Sequence, residues 1–70
     1  MNKYEILIYW SNEESVFVAK VPALEDCTAR GRTQQIALRN ANVAAQLWVD
    51  TANELGYPVP APHARQHIFA

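Results

Sequence analysis

The sequence predicts a small α+β protein in which a three-stranded antiparallel sheet carries one long helix on one face. Two runs rich in aromatic and β-branched residues, at positions 4–10 and 16–21, open the chain, and such runs form strands. Beyond Thr33 the composition turns to Ala, Gln, Leu, Asn and Arg, with no Pro or Gly until Gly56, which predicts about 22 residues or about 33 Å of helix. The 70 residues are half apolar with a net charge of −1. That length fills one small domain, which buries only about 60% of its unfolded surface.

The first run, Tyr4-Glu5-Ile6-Leu7-Ile8-Tyr9-Trp10, stops at the polar cluster Ser11-Asn12-Glu13-Glu14-Ser15. The second, Val16-Phe17-Val18-Ala19-Lys20-Val21, ends at Pro22, whose missing N–H interrupts a ladder. The two make a hairpin with a loop spanning residues 11–15. The cluster lacks Asn-Gly, so a longer type I loop fits better than a tight primed turn. A short connector, residues 22–26, leads to a third, short strand at residues 27–30 before Gly31. Thr33 suits the helix N-cap and Gly56 the position after its end. At 100° per residue Ala37, Leu38, Ala41, Ala44, Ala45, Trp48, Val49, Ala52 and Leu55 share one broad face, which must pack on the sheet, with Trp48 supplying most of the buried area. After Gly56 three prolines in five positions predict an extended segment. Residues 1–62 form the domain and 63–70 a loosely held tail.

Composition excludes several function classes. A near-neutral charge gives no bulk field for phosphate backbones. The single Cys27 makes no internal disulfide, so a chain this short is expected to associate as a homodimer or higher homo-oligomer. No run of about 18 apolar residues and no signal-peptide pattern occurs, which predicts a cytoplasmic protein without membrane contact.

Candidate chemistry is sparse. The acidic pairs Glu13-Glu14 and Glu25-Asp26 fall in loops, where solvated charge is the ordinary explanation, so no catalytic residues are assigned. His63 and His67 have the spacing of two zinc ligands on one helical turn but lack a third ligand; no metal or cofactor is expected. Cys27 reads as core filling. Arg30, Arg32 and Arg39 are the only basic concentration and have no interleaved aromatics for base stacking. Two apolar surfaces remain. On the helix Ile36, Val43 and Leu47 align with Asn40 opposite the core stripe, flanked by Arg39, Gln46 and Asp50. On the hairpin Tyr4, Ile6, Ile8, Phe17, Ala19 and Val21 point toward the helix, which sends Leu7, Tyr9 and Val18 outward. Contiguity on both elements points to partner contact, with Leu7, Tyr9, Val18, Ile36, Arg39, Val43 and Leu47 as the binding residues.

The element order and several local strings resemble the HicB-like antitoxin family. Tyr4-Glu5-Ile6-Leu7-Ile8 is similar to its opening strand. Val21-Pro22-Ala23-Leu24-Glu25-Asp26-Cys27 is similar to its valine, proline, any, leucine, proline, glycine, cysteine pattern. Gly31-Arg32-Thr33 followed by Ala37 and Asn40-Ala41 resembles its entry into the helix, and Pro58-Val59-Pro60-Ala61-Pro62 its proline-rich exit. Two departures stand out. Glu25 and Asp26 occupy the proline and glycine positions, and Ile36 replaces a glutamate that would complete a capping box with Thr33.

The resemblance implies a partial RNase H-like fold in β-β-β-α-β order, without the metal-binding acids of the true nucleases. It also implies a non-enzymatic module that neutralises a HicA-like, mRNA-cleaving toxin by steric masking. The chain resembles a solo N-terminal domain of that family, so direct DNA binding is not expected. The alternatives are a small RNA-binding module, an orphan homo-oligomeric regulator, or a remnant nuclease resting on Glu5, Glu25 or Asp26.

Overall fold

The computed structural model describes residues 4–62. Strands β1 (Leu7–Ser11), β2 (Val16–Lys20) and β3 (Thr28–Gly31) form one antiparallel sheet in the order β1-β2-β3, and helix α1 (Gln34–Leu55) follows. The architecture is the expected α+β sheet-and-helix pair. Ile8 pairs with Ala19 and Ala19 with Ala29, Trp10 with Phe17 and Phe17 with Gly31, all on the helix side. Tyr9, Val18 and Arg30 form the middle row of the other side, beside Leu7, Lys20 and Thr28. The inward and outward assignments made from alternation therefore hold for both strands of the hairpin.

Both helix ends are written locally, as expected. Thr33 is extended (φ −123°, ψ 164°) and its Oγ1 accepts from the Ile36 N–H at 3.1 Å, satisfying one donor the helix leaves orphaned. Gly56 takes the left-handed conformation at φ 75°. Its N–H donates to Asn53 O at 3.3 Å and that of Tyr57 to Ala52 O at 2.8 Å, the double closure of a Schellman motif.

The core consists of Ala19, Val21, Leu24, Cys27, Ala37, Ala41 and Ala45, with Ala52 buried farther along the helix. Alanines let α1 lie close to the sheet, and Gly31 allows the closest approach: a Cβ there would sit 2.8 Å from Ile36 Cγ2. The helix lies chiefly over β3, less over β2, and touches β1 least.

Several expectations are corrected. Leu38 and Leu55, assigned to the core stripe, are 40% and 59% exposed. A helix of about 33 Å overreaches strands of about 17 Å, so Leu55 at its far end lies past the strands, and Leu38 lies toward the edge of the stripe. Trp48 is half-buried, and the largest fully buried side chains are Leu24 and Val21. Leu24, in the segment read as a plain connector, thus supplies the largest fully buried side chain. The hairpin loop spans residues 12–15, one fewer than expected, because Ser11 stays in the ladder opposite Val16. The third strand begins one residue later, since Cys27 belongs to the preceding turn. Among the described residues no fourth strand follows the helix: three prolines without N–H donors suppress a ladder over residues 57–62, although the Tyr4 hydroxyl donates to Pro60 O. The tail at residues 63–70 and both histidines lie outside the described residues.

Candidate functional site

The helix covers one side of the sheet and leaves the other open. Leu7 and Tyr9 are each 47% exposed on that open side. Both occupy β1, where among the described residues no fourth strand crowds them. Val18 lies in the same row but is 3% exposed, which removes it as a contact residue. It sits on the central strand between Tyr9 and Arg30, and the long side chains beside it close it off. Around this apolar pair the polar rim is ordered. Arg30 on β3 forms a two-point ion pair with Glu14 of the hairpin loop, its Nε to Oε1 and its Nη2 to Oε2, the latter at 3.3 Å. The hydrogen bond and charge of Arg30 hold the Glu14 carboxyl below the usual carboxylate range, and Glu14 in turn raises the guanidinium. Arg30 is therefore engaged, which separates it from the basic cluster read in the sequence.

On the far side of the molecule Val43 and Leu47 are 63% and 64% exposed, and Arg39 is exposed with them. Ile36 is only half-exposed, because the helix start presses it against Gly31. The seven residues singled out from the sequence thus do not form one surface. The two-layer fold puts Leu7 and Tyr9 on one side and Val43, Leu47 and Arg39 on the other, across a molecule 20 Å thick along its shortest axis.

An apolar groove of about 440 Å³ adjoins the helix face, between the far half of α1 and the start of β3, with Leu47, Trp48, Leu55 and Tyr57 on one wall and Cys27 on the other. Trp48 Nε1 donates to Glu25 O at 2.9 Å, pinning the turn before β3 to the helix. Alternation did not mark out Trp10, which is 48% exposed. It lies on the helix side but beyond the helix's reach, edge-on to Phe17 with centroids 5.0 Å apart, and its Nε1 donates to Asn12 Oδ1 at 2.9 Å. Its position at the end of an edge strand was the available signal.

Little in the site can do covalent chemistry. Cys27 is 6% exposed, and burial raises its thiol above the ordinary value, which disfavours the nucleophilic thiolate. Glu25 and Asp26 are exposed in a turn. Among the described residues no three His, Cys, Asp or Glu side chains gather where they would hold a metal ion. No described helix is long and apolar enough to cross a membrane.

No family model matches the chain, and no solved structure matches it significantly. A UPF0150 protein of Synechocystis is 36% identical over 61 residues, spanning 87% of this chain and 82% of the relative. A second, from Thermoplasma acidophilum, is 28% identical over 64 residues and 91% of both chains. On the first of these relationships, the chain belongs to the UPF0150 family.

Proposed function

We propose that the protein is a non-enzymatic, antitoxin-like binding module whose open sheet face neutralises a HicA-type mRNA-cleaving toxin by covering its active or RNA-binding surface. The observation that carries this reading is the exposure of Leu7 and Tyr9 on a sheet side that no element among the described residues covers. A tyrosine flanked by a leucine, with Lys20 and the Glu14–Arg30 pair at the margin, has the make-up of a small interface: an amphipathic aromatic anchor within a polar rim. One further observation supports the choice of partner: the strings at residues 4–8, 21–27 and 31–41 resemble those of HicB-like antitoxins. Inhibition is then steric and needs no catalytic group from this chain.

Co-expression with a HicA-like toxin tests the proposal. The wild-type chain is expected to restore growth and to co-purify with the toxin, and Tyr9→Glu to abolish both while its circular dichroism stays unchanged. Equal protection by Tyr9→Glu, or retardation of duplex RNA by the chain alone, would reject the sheet face as a toxin-masking surface.

A further inference from the structure

The outward face of α1 has a pattern that a solvated helix does not need. Val43, Leu47, Asp50 and Glu54 recur at intervals of four, three and four residues, the spacing that keeps a seam turned toward a second helix; Asn40, one turn before, is instead tied to the sheet, its Nδ2 donating to Arg30 O at 2.7 Å. The two exposed hydrophobes, Val43 and Leu47, lie one turn apart in this seam. Charge divides along it. Arg32 and Arg39 lie toward the N-terminal end, Asp50 and Glu54 toward the C-terminal end, with no acidic residue in the first turn and no basic residue in the last. This order opposes the helix's own macrodipole, which favours anions at the start and cations at the end. Within the monomer it is mildly unfavourable, and Arg39 forms no ion pair among the described residues.

Antiparallel pairing resolves each of these features. We infer that this face binds a second copy of the chain, helix against helix, across a two-fold axis at the level of Ala45. In that arrangement Val43 of one copy meets Leu47 of the other, twice by symmetry, and each Arg39 lies beside the partner's Asp50. Arg39 and Asp50 fall on the same flank of the seam at 100° per residue, as a perpendicular two-fold axis requires of residues that meet. The opposite flank is Ala44 and Thr51, small side chains that allow close approach, and it opens into the apolar groove beside Leu47 and Leu55. A self-complementary face of this kind makes an isologous contact that closes at two copies. It also leaves the open sheet faces pointing away from each other, one per copy.

Sedimentation equilibrium of the full chain gives the test. The wild type is expected to sediment at twice its 7.9 kDa chain mass at concentrations of about 100 μM. Arg39→Asp sets like charges together across the axis and is expected to raise the dissociation constant at least tenfold, as is Leu47→Glu. The double exchange Arg39→Asp with Asp50→Arg restores the pairing only if the helices run antiparallel, and is expected to return the constant to within about threefold of the wild type. All of these side chains are exposed, so circular dichroism should be unchanged. A wild-type monomer at millimolar concentration, or a double exchange no better than Arg39→Asp alone, would overturn the inference. Tyr9→Glu is expected to dimerise normally, so failure of toxin binding and failure of self-association are read separately.

Discussion

The sheet has two connections, and they are held in opposite ways. The hairpin loop, residues 12–15, and the turn between β2 and β3, residues 21–27, each contain one non-glycine residue in the left-handed region, Ser15 at φ 56° and Asp26 at φ 60°. The loop is exposed throughout and is tied by surface groups: Ser11 O accepts from the Ser15 N–H at 2.8 Å, Ser11 Oγ from the Glu14 N–H at 3.2 Å, and Glu14 reaches Arg30. The turn is closed by three backbone hydrogen bonds of 3.0 to 3.1 Å among Val21, Leu24 and Cys27, and it places Leu24 at 1% exposure. Similar backbone strain is thus compensated at one site by solvated polar contacts and at the other by core burial. Only the second is expected to have a large effect on stability.

The comparison is broken most severely at Leu24. Leu24→Ala removes the largest buried side chain from a core otherwise built of small residues, so little can collapse into the space. It should cost about 3 kcal/mol, out of about 4 to 10 kcal/mol available to a domain of this length. A urea melt measures it. A loss under about 1 kcal/mol would mean that the turn is not part of the core.

A matched pair of smaller effects separates backbone from side chain. Neither the Ser15 nor the Asp26 side chain makes a hydrogen bond among the described residues, so glycine at either position relieves the left-handed conformation without losing a contact. Each substitution should stabilise by about 0.5 kcal/mol, the relief of strain being partly offset by a more flexible unfolded chain. Equal gains in the two melts would show that the connections differ only in what their side chains bury. A gain at Ser15 alone would mean that the polar Asp26 contributes to closing the turn.

The same contrast explains what the sequence revealed. The helix ends were legible because Thr33 and Gly56 each act through their own backbone and nearest neighbours. The two sides of the hairpin were legible because alternation has a fixed period. Leu24 was not, because a seven-residue turn has no period, and its burial depends on three hydrogen bonds that pattern does not encode. The requirement for glycine at position 31 comes from a helix arriving from elsewhere in the chain. Val18 was misread for a related reason: alternation gives the side a residue faces, while its exposure depends on the strands to either side. Of the candidate contact residues Leu7, Tyr9, Val43 and Leu47 are exposed, but their division between two opposite faces follows from stacking the layers.

The smallest expected effect lies in the hairpin loop, and its pH dependence identifies it. The hydrogen bond from Arg30 is the main cause that depresses the Glu14 pKa in the folded state below its ordinary 4.5. The folded form therefore binds that proton less readily than the unfolded chain, and the pair's contribution is fully present above the ordinary value. As the pH falls through the depressed pKa the carboxylate is protonated and the contribution is lost. Glu14→Gln should accordingly be slightly less stable than the wild type at neutral pH, with the two melting curves converging in acid. Because both partners are solvent-exposed, the neutral-pH difference should also shrink in about 1 M salt, where the screening length falls to about 3 Å. A difference that persisted in acid or in high salt would mean that Glu14 acts by packing, and the loop would then resemble the buried turn more than its exposure suggests.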